Sequence, residues 1–399
     1  VRVVVTSEAR FSRTPDGAVW TTDGPDHGFW VRYLTTFHRV RVMARVREVT
    51  AAPDGARRVD GDDIDVWPVP YYVGPRQYIS VRPAIQAAVR GAATNHDAVI
   101  LRVPSAIGTL LAAHRDRAQL PYGVEVVADP YDVFAPGVIR HPLRPLLRRR
   151  FVARLRHECR RAVAASYVTE RHLQSRYPTR TDVPTVAASS IDLSASAFAM
   201  ASRGPSAKGE AHHIITVGTM DQMYKGFDTL ITAVARLNHV GVPARMSHIG
   251  TGRFQPRLEQ LAARLGVADK VAFVGWCSPG EELRQHLDAA DLFVMPSRTE
   301  GLPRALIEAM ARALPAVGTR VGGIPELLPA VDMVRPDDPR ELARVIGEML
   351  QDPDRMSAAS ARNLAHARRY SRESLNPRRE AFYQAVRDAT KRPITTPSR

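Results

Sequence analysis

Short runs of β-branched and apolar residues alternate with amphipathic stretches along this chain, in two separate series. The first series has apolar runs at 1–7, 39–46, 98–103, 123–128, 165–169 and 185–188, with helical patterns at 81–91, 107–118 and 143–164. The second restarts at 214–218 and continues through 244–250, 271–276, 292–296 and 316–319, again with helical stretches between the runs. Such alternation predicts strand–helix–strand units, and hence parallel sheets covered by helices. The expected class is α/β. A length of 399 residues agrees with two domains, at roughly 100–200 residues each.

The boundary is expected at 201–209, where ASRGPSAKG is small and polar enough for a linker. The domains would then span 1–200 and 201–372. A final helix at 373–399 would return to the first domain and end in a frayed tail, KRPITTPSR. The stretch 10–28, with TPDG, TTDG and GPDHG, reads as a long surface loop.

Composition removes several function classes. Apolar residues at 44% and charged residues at 24% are globular values. No apolar run approaches the roughly 20 residues that span a bilayer. The opening run Val1–Val5 lacks the charged and apolar regions of a signal peptide, so a cytoplasmic location is expected. Two distant cysteines, Cys159 and Cys277, exclude a disulfide framework and fit a reducing compartment. The net charge of +15 speaks to partners rather than fold, and no zinc-finger, homeodomain or RNP-like pattern supports a specific nucleic-acid partner.

Ligands of doubly wound sheets bind outside the carboxyl ends of the strands, so the loops there carry the chemistry. The first is VGTMDQMYKG, 217–226, in which Lys225 stands beside a helix N-terminus and suits a diphosphate. The second is PSRTEGLPRALIEAM, 296–310. Glu300 sits at the mouth of its turn, Pro303 suits the first helical position, and Glu308 lies about 7 Å further along the helix. Two carboxylates so spaced can hold different hydroxyls of an extended ligand while the helix N-terminus between them takes phosphate. The apolar neighbours Leu306, Ile307, Ala309 and Met310 make this helix a buried one. The third is GTRVGGIPE, 318–326, whose adjacent glycines allow close approach of a ligand to the backbone.

Together, VGT…KG, IGTG, FVGW, DLFVMPSRTEGLPRALIEAMA and VGGIPELL resemble the donor half of retaining glycosyltransferases of family 4, over about residues 217–328. The resemblance implies the GT-B fold, two Rossmann-like doubly wound domains facing across a cleft. It implies a metal-independent enzyme that takes a nucleoside-diphosphate sugar and an acceptor, with no cofactor. Glu300 and Glu308 occupy the family's E-x7-E positions. Glu300 would contact the donor sugar and Glu308 the ribose, and Lys225 would neutralise the diphosphate. Gly301, Leu302 and Pro303 would line phosphate and sugar, the backbone at Gly275 and Trp276 would meet the base, and Gly218 and Thr219 belong to the same donor set. Uridine is the first expectation for the base and guanosine the second.

The chain departs from the family in two places. Thr219 stands where many relatives carry a phosphate-binding arginine, with Arg298 or Arg304 as the substitutes at hand. Asp129, in Asp129-Pro130-Tyr131-Asp132 after a first-domain strand, stands roughly where relatives carry a histidine. Asp129 is read either as the acceptor-side residue or as a turn cap before Pro130; Asp132 and His27 are the other acceptor-side candidates. Asp63-Ile64-Asp65 looks like a metal-binding DxD but lies in a polar stretch and reads as a solvated loop, and His212-His213 reads as a strand edge.

Residues 140–161, RHPLRPLLRRRFVARLRHECRR, place Leu143, Leu147, Phe151 and Leu155 in an i+4 stripe with arginines largely off it. The helix reads as a core-packing element with a solvated cationic face, or as a peripheral contact with an anionic membrane. Two other functions share the architecture: a nucleotide-sugar epimerase, and a non-catalytic nucleotide-binding relative.

Overall fold

The computed structural model describes residues 1–134, 142–204, 211–278 and 280–391. Most of the expected linker, the frayed tail and part of the 130–142 loop lie outside these residues. Two compact units divide the chain. One comprises 1–128, 149–188 and the segment from 377, and the other comprises 129–148 and 189–376.

The first unit holds β1 (Arg2–Arg13), β2 (Val19–Thr21), β3 (Arg39–Glu48), β4 (Arg57–Arg58), β5 (Ile64–Pro70), β6 (Ala98–Val103), β7 (Gly123–Val126), β8 (Ala164–Tyr167) and β9 (Thr185–Ala187). Its parallel strands lie in the order β5-β3-β1-β6-β7-β8-β9. The winding therefore reverses between β1 and β6. Strand interiors such as Val3–Val5, Val40, Val42 and Val99–Leu101 are buried, as expected of strands covered on both faces.

Three expectations for this unit are corrected. The first strand does not stop at Ser7. It runs to Arg13 through a bulge, with Thr6 opposite Met43 and Arg10 opposite Arg45, so that Ser7, Glu8 and Ala9 face the single residue Ala44. Part of the expected 10–28 loop is thus strand, closed by an antiparallel pairing with β2. Asp65 is not in a solvated loop but in β5, where Arg41 Nε donates to it at 2.7 Å. In the helix Arg144–Arg161, Val152, Leu155, Glu158 and Cys159 are buried, whereas Leu143 precedes the helix and is 55% exposed. The packed face therefore belongs to the later turns, not to the whole i+4 stripe.

The helix Arg372–Lys391 supplies Phe382, Tyr383 and Val386 to the first unit's core. The Tyr383 ring lies 4.8 Å from that of Tyr33. Gly123 faces this helix so closely that a Cβ there would meet Val386 at 2.4 Å.

The second unit holds β10 (His212–Val217), β11 (Ala244–Ile249), β12 (Val271–Gly275), β13 (Leu292–Met295), β14 (Ala316–Thr319) and β15 (Met333–Val334). All pair in parallel, in the order β12-β11-β10-β13-β14-β15. Winding reverses between β10 and β13. His213 is therefore in a central strand rather than at an edge, and its ring nitrogens meet Ala289 O at 2.9 Å and Ser247 Oγ at 2.8 Å.

Candidate functional site

In the second unit the loops after β10 and β13 flank the point where the winding reverses, which is where a crevice opens in sheets of this order. The β10 loop ends in a turn, Met223–Lys225, followed by Gly226 in the left-handed conformation at φ 72°. A Cβ on Gly226 would lie 2.0 Å from the Pro296 carbonyl oxygen. Only glycine lets this turn pass against the end of β13.

That approach brings the two loops into bonding contact. Arg298 N donates to Tyr224 O at 2.7 Å. Lys225 Nζ donates to Glu300 Oε1 at 2.6 Å, and Ser297 Oγ donates to the same oxygen at 2.7 Å. Both Lys225 and Glu300 are largely enclosed, with side chains 18% and 9% exposed. The carboxylate is thus aimed by two donors, while the ammonium keeps further protons for another anion.

Beyond Glu300 the chain passes Gly301, Leu302 and Pro303 into the helix Arg304–Ala311. Pro303 is the residue before the helix rather than its first residue, and no side chain caps this end. Its backbone N–H groups thus lack a side-chain partner beside the Lys225–Glu300 pair, and such an end favours anions. The loop is closed from the β14 side by Gly323 N donating to Gly301 O at 2.7 Å. A Cβ on Gly322 would lie 1.9 Å from Glu300 O.

Glu308 lies one and a half turns into the helix. Burial raises its carboxyl above the ordinary glutamate value, and Arg304 pulls weakly the other way. The neighbouring Cys277 thiol is raised by burial first, then by the carboxylates of Glu282 and Glu308. This proximity places the segment after β12, with Gly275 at φ 91° and Trp276 52% exposed, near Glu308.

The cationic substitutes for the missing arginine separate clearly. Arg298 is committed, with both Nη atoms on Asp228 at 2.9–3.0 Å and Nε on Asp337 at 2.6 Å. It stitches the two loops and is not a phosphate ligand in this arrangement. Arg304 is exposed at the helix start. Thr219 Oγ1 donates to Thr251 O at 3.2 Å and accepts from Asp221 N, so it shapes the loop that Gly218 begins. Beneath that loop His248 is fully buried against Phe227, ring centroids 4.3 Å apart, and burial lowers its pKa to about 4. A neutral aromatic wedge there has no motif signature.

In the first unit, a cavity of about 430 Å³ opens where its own winding reverses, lined by the bulge residues Ser7, Glu8 and Ala9 with Arg10, Arg45 and Arg102 among others. Glu8 is held by Ser105 Oγ at 2.7 Å, Ile107 N at 3.1 Å and Tyr72 OH at 2.9 Å, with Arg45 at 3.6 Å. Arg102 pairs with Glu125, which also accepts from Tyr33 OH at 2.9 Å. Arg10 lies 3.7 Å from Asp23. None of these residues carries a sequence signature, because they are brought together from distant segments by the sheet.

The acceptor-side candidates sit elsewhere. His27 begins the short helix His27–Trp30 and its ring lies over Gly61, outside the residues that line the cavity. Asp129 is buried after β7 and caps Pro130–Val133, accepting from Tyr131 N at 2.8 Å; Asp132 is half-buried in that turn.

With this geometry in hand, comparison with known proteins is informative. Residues 211–352 match the family model described as glycosyl transferases group 1. CapJ of Staphylococcus aureus is 24% identical over 370 residues, which cover 90% of this chain and 89% of that protein. A GDP-mannose-dependent alpha-(1-6)-phosphatidylinositol monomannoside mannosyltransferase of Mycolicibacterium smegmatis is 35% identical over 144 residues, covering 34% of this chain and 37% of that enzyme. Local matches of this kind span only 35% to 48% of the relatives' own length.

Among solved structures, sucrose-phosphate synthase from Thermosynechococcus elongatus superposes with a TM-score of 0.71 at 16% identity, covering 97% of this chain and 99% of that one. HepE of Anabaena, in complex with UDP-glucose, gives a TM-score of 0.64 at 15% identity, covering 94% and 97%. The fold is that of GT-B glycosyltransferases, with two Rossmann-like parallel-sheet units, and region 211–352 is a group 1 glycosyltransferase domain.

Proposed function

We propose that the chain transfers a sugar from a nucleoside-diphosphate donor to a hydroxyl acceptor, with retention of configuration and without a metal, as a family 4 enzyme. The carrying observation is the Lys225–Glu300 bond at 2.6 Å across the switch point, beside a helix N-terminus with no side-chain cap. Lys225 and that N-terminus would stabilise the charge that builds on the departing diphosphate. Glu300, aimed by Lys225 and Ser297, would bind the donor sugar's hydroxyls, and Glu308 the ribose. Trp276, exposed after Gly275, would lie against the base. The oxocarbenium-like sugar would be attacked from the face the diphosphate leaves.

Metal-free chemistry is supported by the supply of positive charge in the site itself. The one DxD-like pair is compromised as a metal ligand, since Arg41 holds Asp65 within the sheet. Uridine is the first candidate base and guanosine the second; HepE binds UDP-glucose and the mycobacterial relative depends on GDP-mannose. The acceptor would sit in the first unit's cavity, where the guanidinium–carboxylate pairs Arg10–Asp23 and Arg45–Glu8 suit a polyol. Asp129 is the proposed acceptor-side carboxylate. A cytoplasmic location fits the two free, buried thiols Cys159 and Cys277.

The test is a panel of nucleoside-diphosphate sugars, with and without EDTA, read by thermal shift and diphosphate release. Stabilisation by one donor that survives EDTA and disappears in Glu308→Ala is the expected result. Loss of binding in EDTA overturns the metal-free scheme. Conversion of the donor alone to another nucleotide sugar identifies an epimerase instead, and binding without turnover identifies a non-catalytic relative.

A further inference from the structure

The chain's positive charge is not spread evenly over its surface. The helices Gly74–Ala92 and Arg144–Arg161 together carry eleven arginines and one acidic residue. That residue, Glu158, is buried and accepts from Thr109 Oγ1 at 2.7 Å, so it offers nothing to the surface.

The arginines stand largely without counter-ions. Arg76, Arg82, Arg90, Arg149, Arg150 and Arg154 have no carboxylate within salt-bridge distance among the described residues. The two helices are close enough to feel one another in the first unit. The Arg154 guanidinium is lowered by burial first and then by Arg150, with Arg82 adding to the effect and Tyr78 and Glu158 opposing it. Like charges held together this way gain from a fixed anionic partner.

Large apolar side chains are interleaved with these charges. Ile79 is 70% exposed and Leu146 61% exposed, and Val73, at the entrance to the first helix, is 48% exposed. The first helix buries only Ile85, Val89 and Ala92. Such a surface, cationic with projecting aliphatic groups, matches the boundary of a bilayer, where arginines meet headgroups and aliphatic side chains reach the acyl region. A nucleic-acid face would set aromatic rings among its arginines for bases to stack on; here the only ring on either helix is that of Tyr78, half-buried, with Phe151 likewise half-buried. No helix among the described residues is long and apolar enough to cross a membrane, so the contact would be peripheral.

We propose that the face formed by these two helices docks the protein on a bilayer surface rich in anionic headgroups, with Ile79 and Leu146 seated at the acyl boundary. This holds the first unit against the lipid surface independently of what the second unit binds.

The test is co-flotation of the full chain with vesicles of phosphatidylcholine alone, or of phosphatidylcholine carrying phosphatidylglycerol. Binding is expected only to the anionic vesicles, and it should weaken as salt rises. The triple variant Arg82→Glu, Arg149→Glu, Arg150→Glu should lose affinity by roughly 100-fold or more, at about fivefold per charge removed. The Arg→Lys triple should retain binding, which shows that charge rather than a local fold is being read. Nucleoside-diphosphate binding in the second unit serves as the folding control for both variants. Three results overturn the proposal: no flotation with phosphatidylglycerol, equal flotation with phosphatidylcholine alone, or equal binding by the glutamate variant. Preferential binding of duplex nucleic acid over anionic vesicles at the same salt also overturns it.

Discussion

Replacing Gly226 by alanine is expected to damage the donor site through backbone geometry alone. Two costs add. The left-handed conformation at φ 72° costs an L-residue about 1–2 kcal/mol. The new Cβ would also stand 2.0 Å from the Pro296 carbonyl oxygen and 2.8 Å from its carbon, and backbone cannot rotate aside. The turn Met223–Lys225 would have to lift from the end of β13 by roughly an ångström or more, breaking the Lys225–Glu300 contact. A bond to a charged group contributes about 1.5–3 kcal/mol, so the total loss is about 3–5 kcal/mol. Gly241 provides the control at the other end of the same helix. Its φ is 79°, with nothing within 4 Å of a Cβ, so Gly241→Ala bears the conformational cost alone. Urea unfolding of both variants, with donor affinity by calorimetry, separates the two costs. Gly226→Ala should lose the larger stability and about 10- to 100-fold in donor affinity, while Gly241→Ala binds as the native chain does. Equal stability and equal affinity in the two variants would refute the reasoning.

Three further outcomes follow from the same structure. Lys225→Met should lower turnover by about 100- to 1000-fold, the usual cost of removing one charge-stabilising donor, with the fold intact by circular dichroism. Glu308→Ala should abolish stabilisation by the nucleotide sugar in a thermal-shift assay. Glu158, raised to about 7 by burial, gives a pH signature. Its folded-state pKa lies above its unfolded value, so ionisation destabilises the folded chain as pH rises from about 4.5 to about 7. Glu158→Gln, which keeps an acceptor for Thr109, should therefore gain up to roughly 3 kcal/mol above pH 7 and nothing below pH 4. Unfolding curves across that range decide it.

What could be read from the sequence depended on distance along the chain. The strand runs and the two donor loops are local patterns, so Lys225, Glu300 and Glu308 stood out before any contact was visible. Their spacing did not reveal that Lys225 and Glu300 touch, since that depends on β10 and β13 being neighbours across a reversal of winding. Arg298 was open as a phosphate ligand because its partners, Asp228 and Asp337, lie 70 and 39 residues away. Glu8 was invisible for the same reason: Arg45, Tyr72 and Ser105 meet it only once the first sheet is assembled. The bulge at Ser7–Ala9 hid the continuation of β1, because three residues facing one break the alternation that marks a strand.

The helix Arg372–Lys391 has a consequence for how the chain is made. Phe382, Tyr383 and Val386 complete a core whose other walls were all synthesised before residue 188. At about 5–20 residues per second, the ribosome needs roughly 10–40 seconds to travel from that point to Val386. Throughout that interval Tyr33, Phe37 and the Gly123 face of the first sheet lack their cover. The second unit can close as soon as its own strands emerge, whereas the first, begun earlier, is the last to finish. A nascent chain of this kind depends on holding one half-built core out of aggregation while the other is built inside it.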